Sequence, residues 1–576
     1  MKISVAKTAG FCMGVQRAVD MALDASNKFL PPIFTYGPLI HNPQVLALLA
    51  EKGIHVMDAI PYSGSGTVII RAHGVPPEAR YHLEQAGFSV IDATCPRVTK
   101  VQSIIRGRAA DGYACIIVGD ADHPEVAGLR GYAGEMGHVV KDMEELERLP
   151  AFPRAIIVAQ TTLNRHLFAD VRAWAAAEHP AYKVFHTICD STEQRQREAR
   201  RLAETVDIVV VVGGHNSGNT QRLAEIVAHA GKPVQHVETE AELDTNLLRS
   251  AATVGLTAGA STPNWIIKRL YRAIEAQRGD RGGQWQRRLI AWQQYLLMTH
   301  LYIAFGAACL CLACSKLQGL THYFPYILIT MLYVLSMHIL NTLTGMKEAR
   351  YNDPERAGFY DAHKFGMTAL ALGAGGLGLT VAATMGELPF FLLAGLSILG
   401  LSYNMPLIPS FVLGPRFRRL RNIPGSKALL IAMAWGVVTT VFPCISVTGG
   451  LNSATFAAVV FSAGMVFSRN GFFNVLDMQG DRIAGKASLP LLLGKKRAMN
   501  LLRIVLAAAV AVLVIGVTAG TLPGLGIPLA LCPLLLLLAI RNNCGATQLP
   551  GVQKEFLIDS LFVLAGLLTF GWWIVT

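Results

Sequence analysis

The sequence predicts two unlike folds joined end to end: an α/β unit, then an all-α polytopic membrane unit with about nine transmembrane helices. Three observations predict this. Up to about Gln277, short apolar runs ending in Gly, His, Thr or Ser alternate with amphipathic stretches such as VQRAVDMALDAS and GNTQRLAEIVAHA. That is the pattern of α/β units with parallel strands. From about Ala291 to Thr576 the chain is a series of long apolar runs, several past the roughly 18 residues that a membrane crossing needs. Finally, the basic residues crowd into alternate loops between those runs, as cytoplasmic loops do. This placement accounts for the net charge of +12, so no nucleic-acid partner is expected. A length of 576 residues agrees with more than one domain. The expected division is 1–277, a linker at 278–290, and 291–576.

The N-terminus, MKISVAKTAGFC, reads as strand and loop. It lacks the basic flank and apolar core of a secretory signal. The first unit is therefore expected in the cytoplasm, where disulfides are rare and cysteines serve as thiolates or as packing. Three cysteines each close a strand-like run: KISVAKTAGFC at Cys12, FSVIDATC at Cys95 and YKVFHTIC at Cys189. They are too far apart in the chain for a zinc-ribbon pair. Iron–sulfur clusters usually take four cysteines. A set of three leaves two readings open: a cluster with one iron free for substrate, or no cluster and three buried small hydrophobes. Cys115, inside the apolar run YACIIVGD, is expected in the core.

The other strand ends share a chemistry. His41 lies in GPLIHNP, His73 in RAHGVP, and His123 and Glu125 in DADHPEV. Thr161 and Thr162 follow Gln160 in AQTTLN. Ser217 and Asn219 lie in GGHNSGNT, and Ser261 in TAGASTP, each just before a helix. Ser and Asn at helix starts are ordinary N-caps, yet the same helix ends are natural anion sites. In open α/β folds ligands bind at the carboxyl ends of strands. Together these groups describe a pocket for a small phosphorylated molecule, since imidazole, hydroxyl and amide all donate to phosphate oxygens. His215 is expected to be a solvated turn residue.

GFCMGVQRAV, GPLIHNPQV, HGVPPEA, DATCPRVTKV, HPEVAG, QTTLN, CDSTEQRQ, GGHNSGNTQRL and TAGASTP, in that order, resemble the 4-hydroxy-3-methylbut-2-enyl diphosphate reductase (IspH or LytB) family over nearly all of residues 1–275. The resemblance implies a three-lobed fold around a central 4Fe–4S cluster held by Cys12, Cys95 and Cys189. It implies diphosphate binding by His41, His73, His123, Ser217, Gly218, Asn219 and Ser261, with Thr161 also at the substrate. It places the acid at Glu125, with His123 and Thr161 beside it. An electron donor such as ferredoxin or flavodoxin is implied as partner. The reaction implied is reductive dehydroxylation to isopentenyl and dimethylallyl diphosphate. One departure stands out: Gly218 occupies a position where the family usually has a second Ser, so one phosphate contact is lost.

Residues about 275–290, EAQRGDRGGQWQRRLI, read as a Gly- and Arg-rich hinge whose arginines and Trp285 rest at lipid headgroups. Nine apolar segments follow, near 293–313, 321–343, 367–386, 389–409, 427–447, 453–473, 499–519, 522–540 and 556–575. With the first unit inside, the loops after the second, fourth, sixth and eighth segments face the cytoplasm. These hold KEARYNDPER, GPRFRRLRNIPGSK, DMQGDRIAGK with GKKR, and RNNCGATQLPGVQKE. The opposite loops are short and nearly free of Lys and Arg. The expected location is the inner (cytoplasmic) membrane, multi-pass, with the reductase unit cytoplasmic.

Asp477 and Asp481, at i and i+4, end the sixth segment. Paired carboxylates there can hold Mg²⁺ bridging a diphosphate, or can simply be solvated. The surrounding DxxxDxxxGxxSLPxxxG, with nine spans, resembles the UbiA superfamily of intramembrane prenyltransferases over about residues 290–576. That family's first acidic motif is missing. Asn341 remains, but Thr342, Gly345 and Ala349 stand where three aspartates belong, while Asn352, Pro354 and Arg356 keep the downstream pattern. The substitutes considered are Glu348, Asp353, Glu355 and Asp361; Tyr403, Arg419 and Lys427 are further candidates to contact a diphosphate. The expected Mg²⁺ or diphosphate set is Asp477, Asp481 and Asn341. Two readings follow: a reductase fused to a prenyl transferase, or a reductase fused to a non-catalytic membrane anchor or lipid-binding scaffold. A third, that the first unit is only an iron–sulfur sensor, is opposed by its full pocket set.

Overall fold

Backbone pairing in the first unit follows from where its apolar runs fall. The computed structural model describes residues 1–278, 284–403, 423, 425–486, 488–542 and 551–575, and divides into two compact units, Met1–Arg281 and Gly282–Thr576. Of the expected 278–290 linker, residues 279–283 lie outside the described residues; Gln284 opens the helix Gln284–Met298.

Twelve strands form in the first unit: β1 (Lys2–Val5), β2 (Ile33–Tyr36), β3 (Ile54–Met57), β4 (Thr67–Ile70), β5 (Ser89–Asp92), β6 (Ala114–Val118), β7 (Gly137–Val140), β8 (Ala155–Ala159), β9 (Lys183–Val184), β10 (Ile208–Val212), β11 (Val234–Val237) and β12 (Thr253–Ala258). They make three four-stranded sheets, ordered β1-β12-β10-β11, β3-β2-β4-β5 and β7-β6-β8-β9. Every pairing is parallel. Parallel sheets are covered on both faces, so their inner strands read as unbroken apolar runs. β6, β8 and β10 are buried along their whole length. Alternate residues feed opposite cores, as a period of two demands: Ile116 and Ile157 point to one side, Ile117 and Val158 to the other. Cys115 faces that second core, where burial pushes its thiol up to about 11.

The three sheets repeat one plan. In each, two central strands and one edge strand end in residues singled out above. β2 and β4 lead to His41 and His73, β6 and β8 to His123 and Thr161, β10 and β12 to Ser217 and Ser261. Edge strands β5, β9 and β1 lead to Cys95, Cys189 and Cys12. The chain starts with the last strand of one sheet and supplies its other three at the end, so β1 pairs with β12.

The second unit is helical. Among the described residues, six helices are long and apolar enough to cross a membrane, and up to seven if the bent pair Arg288–Met298 and Leu301–Leu317 is one span. This differs from the nine expected crossings. Two expected runs give shorter apolar helices, Glu387–Ser402 and Gly526–Arg541. The second of these starts late because Pro523 and Gly524 hold a turn. The bend of 72° falls at His300, whose φ of 60° is a left-handed conformation that costs a non-Gly residue about 1–2 kcal/mol. Helices meet through small residues, as membrane helices do. Gly566 lies against Cys309, and Gly471 against Leu502, where an added Cβ would fall 2.7 and 2.5 Å from the neighbour.

A buried ionic network ties three segments of this unit. Arg469 makes a bidentate pair with Asp559, Nε–Oδ1 2.6 Å and Nη2–Oδ2 2.9 Å. Glu555 joins it to Arg356 at 2.7 Å. Removing one partner strands the other charge, so Asp559→Leu is expected to destabilise the detergent-solubilised chain by about 3–5 kcal/mol. The double variant Arg469→Met/Asp559→Leu should melt above it. Equal melting of single and double variants would show that the pair is not coupled.

Candidate active site

A cysteine at the end of a strand becomes the cap of the next helix. Cys12, Cys95 and Cys189 are the N-cap residues of the helices Met13–Lys28, Pro96–Ala110 and Asp190–Thr205. The Cys12 sulfur accepts from the Val15 N–H at 3.4 Å. Gly14 lets that helix close on Cys95, since a Cβ there would sit 2.4 Å from its sulfur. Burial pushes the Cys95 thiol up, with Cys12 and Cys189 adding to the rise and the amides of Arg97 and Val98 opposing it. All three cysteines are free and part-buried. The sheets thus bring three mutually interacting thiols together, a donor set that fits three irons of a 4Fe–4S cluster and leaves the fourth without a protein ligand.

Beside the thiols, the central strands converge. The rings of His41 and His73 lie 4.8 Å apart, those of His73 and His123 5.4 Å, and those of His41 and His123 6.0 Å. His123 caps the helix Pro124–Ala133, its Nδ1 accepting the Glu125 N–H at 3.1 Å. A neutral His123 therefore carries its proton on Nε2. Burial lowers all three histidines. Arg71 adds to the fall for each, and His41 and His123 add to it for His73. The His73 Nδ1 and the Asn219 Nδ2 are buried with no hydrogen-bond partner.

Ser217 precedes the helix Gly218–His229 but makes no capping hydrogen bond. Its Oγ instead accepts from the Ser261 Oγ at 3.4 Å, which also donates to the His41 carbonyl at 3.1 Å. The first-turn amides of that helix are thus left for an anion. At Gly218 an added Cβ would meet open space.

Glu125 is 2% exposed. Thr161 grips both its oxygens, the N–H donating to Oε1 at 2.7 Å and the Oγ1 to Oε2 at 2.8 Å. Burial pushes this carboxyl up, and the two Thr161 bonds oppose the rise. Gln160 braces the pair, accepting from the Asp120 N–H at 3.1 Å and donating to Thr162 at 2.9 Å. His215 is half-exposed and pairs with Glu242 at 2.9 Å, as a turn residue should. Sequence reasoning missed Arg71, two residues before His73. In the structure its guanidinium lies against the Gly37 turn (φ +69°), where a Cβ would fall 2.5 Å from it, a tertiary approach with no local signal in the sequence.

In the second unit, Asp481 is fully buried. Its Oδ1 accepts from the Asn352 Nδ2 at 3.0 Å and from the Lys486 Nζ at 3.1 Å, and its Oδ2 has no partner. Gly480 permits the approach of Asn352, where a Cβ would overlap its Oδ1. Asp477 caps the end of Ser453–Leu476, and Asn341 is half-buried in the last turn of Phe324–Thr344. Thr342 is engaged, bonding the His300 Nε2 at 2.9 Å and the His338 carbonyl at 3.0 Å. Of the considered substitutes, Asp353 caps the helix Pro354–Ala362 and Asp361 pairs with Arg350 at 3.3 Å. Tyr403 bonds Ser426 at 3.2 Å; Arg419 and the side chain of Glu348 lie outside the described residues. These donors fit one cation at Asp481 Oδ2. They do not fit a second at the first-motif positions, which carry no carboxylate.

Comparison with known proteins divides the chain at the same place. Residues 3–275 match the LytB protein family, and residues 300–548 match the UbiA prenyltransferase family. The 4-hydroxy-3-methylbut-2-enyl diphosphate reductase of Solidesulfovibrio magneticus is 45% identical over 48% of this chain and 100% of its own. That of Geobacter sulfurreducens is 44% identical over 48% and 97%. Among solved structures, the corresponding Plasmodium falciparum reductase aligns at 27% identity over 47% of this chain and 87% of its own, with a TM-score of 0.45. A UbiA homologue from Archaeoglobus fulgidus bound to GPP and Mg²⁺ aligns at 17% identity over 48% and 99%, with a TM-score of 0.35.

The histidine set yields a pH prediction. An unfolded histidine titrates near 6.5 and His123 in the folded site at about 4. The unfolded chain then binds a proton that the native site refuses, so stability is lost as pH falls from about 6.5 to about 4. A bound anion favours the protonated rings. Inorganic pyrophosphate should therefore bind with proton uptake beyond its own titration, measured by calorimetry in buffers of different ionisation enthalpy. His123→Gln should reduce that uptake; none in the wild type would refute the linkage.

Proposed function

The chain belongs to the LytB family over residues 3–275, and from that premise we propose how its side chains carry out the reduction of 4-hydroxy-3-methylbut-2-enyl diphosphate. The reaction takes two electrons and two protons. The allylic C–O bond breaks, the hydroxyl leaves as water, and the allyl carbon is protonated to isopentenyl or dimethylallyl diphosphate. When bound, a 4Fe–4S cluster on Cys12, Cys95 and Cys189 supplies the electrons and one iron without a protein ligand. Ferredoxin or flavodoxin is the proposed donor.

His41, His73 and His123, with Ser217, Asn219, Ser261 and the Gly218 amide, hold the diphosphate. The observation that carries this is convergence: six central-strand ends from three sheets meet, with His73 Nδ1 and Asn219 Nδ2 buried and lacking protein partners. Glu125 is the acid. Burial keeps its proton to higher pH than an exposed carboxyl would, and Thr161 orients both oxygens and passes the proton toward the leaving hydroxyl. Arg71 adds fixed positive charge behind the histidines.

For the second unit, nine crossings in the inner membrane remain the proposed topology, with the six long helices, the bent pair and the two short apolar helices supplying them. Two readings of its chemistry are each favoured by a specific observation. Prenyl transfer is favoured by the unpartnered Asp481 Oδ2, which suits one Mg²⁺ beside Asp477 and Asn341. A lipid-binding anchor is favoured by Thr342, whose hydroxyl holds His300 where the family places a carboxylate. Mg²⁺-dependent pyrophosphate release by the full chain, offered prenyl diphosphates with aromatic or lipid acceptors, decides between them. Release lost in Asp477→Ala supports transfer, and no release with any pair supports the anchor.

For the first unit, Glu125→Gln should keep the absorbance of the reconstituted cluster and lose most turnover; turnover at the wild-type rate removes Glu125 from the acid role. Gly218→Ser adds a hydroxyl into open space beside the helix amides. It should lower KM about 3- to 10-fold, the net worth of one ordinary hydrogen bond at a solvent-accessible site, with kcat nearly unchanged. An unaltered or higher KM would show that the hydroxyl makes no contact.

A further inference from the structure

Each cysteine-bearing helix sends an arginine to the segment that carries another cysteine. Arg17, on the Cys12 helix, donates from Nη1 to the Thr94 carbonyl at 3.0 Å, next to Cys95. Arg97, on the Cys95 helix, pairs with Asp190, next to Cys189. Arg195, on the Cys189 helix, donates from Nη1 to the Thr8 carbonyl in the loop before Cys12, and to the Ala258 carbonyl at 3.4 Å. The three links close a ring around the thiols.

Arg195 differs from the other two. Its side chain is buried, at 3% exposure, whereas the Arg97 pair is solvent-exposed. Its Nε is buried and has no hydrogen-bond partner. A buried guanidinium N–H without a partner costs free energy unless something not made of protein accepts it. The thiols of Cys12 and Cys189 both lie within its electrostatic reach. A neighbouring carboxylate, Glu198, is turned to other work: it accepts from the Lys7 and Thr8 amides at 2.6 and 2.8 Å and from the Thr8 hydroxyl at 2.6 Å. Arg195 therefore stands as a fixed positive charge behind two of the three thiolates, with one donor left over.

We propose that Arg195 is a positioning and electrostatic residue of the three-cysteine centre: its charge favours the reduced form of the cluster, and its Nε–H donates to the cluster's sulfur shell. The inference rests on the reading that Cys12, Cys95 and Cys189 hold a 4Fe–4S cluster. One-electron reduction adds one negative charge to the centre, and hydrogen bonds and net charge around the sulfurs set the potential of such clusters. A cation held in a low-dielectric site offsets that added charge far more than one in water. The charge of Arg195 is permanent across physiological pH, so this contribution does not titrate.

The test is an anaerobic redox titration of the reconstituted full-length protein, followed by electron paramagnetic resonance, in the wild type, Arg195→Lys, Arg195→Gln and Glu198→Gln. Arg195→Gln should be at least tenfold harder to reduce, a fall of about 59 mV for one electron. Arg195→Lys keeps the charge and should stay within about threefold of the wild type. Glu198→Gln removes a neighbouring negative charge and should shift the other way. Equal potentials in all four proteins overturn the proposal, as does an equal fall in the Lys and Gln variants, which would mean that only the shape of the side chain matters. If Arg195→Gln fails to load a cluster, the Glu198→Gln shift decides, and its absence overturns the proposal. Failure of the wild type itself to form a cluster would instead refute the reading on which the inference rests.

Discussion

Three helix N-termini pointing at one spot create a demand that only anionic ligands satisfy. Each helix end leaves first-turn amides without helical partners and carries partial positive charge. Cys12, Cys95 and Cys189 sit at those caps, so the convergence suits an anionic centre held by three sulfurs. The sheets exist in the order they do because of this. A cysteine must follow an edge strand of each sheet for the three edges to face one another, and β1, β5 and β9 are edge strands. The central strands, one step further in, then deliver the histidines, Thr161 and the serines to one neighbouring region.

Strand ends and their chemistry were legible in the sequence, because a parallel strand is a short apolar run and its polar successor stands out. Cys12, His41, His73, Cys95, His123, Thr161, Cys189, Ser217 and Ser261 all announce themselves this way. Which strands are central was not legible. β1 (KISV) alternates polar and apolar residues and is an edge, whereas β12 is buried inside, but neither run says which strand it pairs with. Their pairing joins residues about 250 apart, and nothing local specifies it. Arg71 and Arg195 were missed for a related reason. An arginine beside a strand or on an amphipathic helix looks like part of a solvated face; only tertiary packing turns Arg195 inward. Ser217 stands at the N-cap position, yet its hydroxyl makes no capping bond and accepts from Ser261 instead, which no local pattern in the sequence reveals.

In the membrane unit, composition revealed the apolar runs but not how long a helix each one forms among the described residues. Apolar runs of similar length give helices of different length because Pro523 and Gly524 interrupt one, and left-handed His300 breaks another. Sequence also could not show that four charged side chains inside this unit are paired with one another. Buried ions are retained only when paired, and Arg469, Asp559, Glu555 and Arg356 satisfy that condition as a set.

That commitment bears on what the unit can bind. A carboxylate motif holds metal only if its oxygens are not already neutralised. Asp481 is half-committed: Asn352 and Lys486 share one oxygen, and the other is buried without a partner. Of the first-motif positions, Thr342 is engaged with His300, and Gly345 and Ala349 carry no side-chain ligand atom. The Lys486 ammonium thus supplies, from the protein itself, part of the positive charge that a second metal would bring. A site with one cation position and one built-in lysine tolerates an anionic lipid headgroup but clamps a diphosphate less tightly than two metals would.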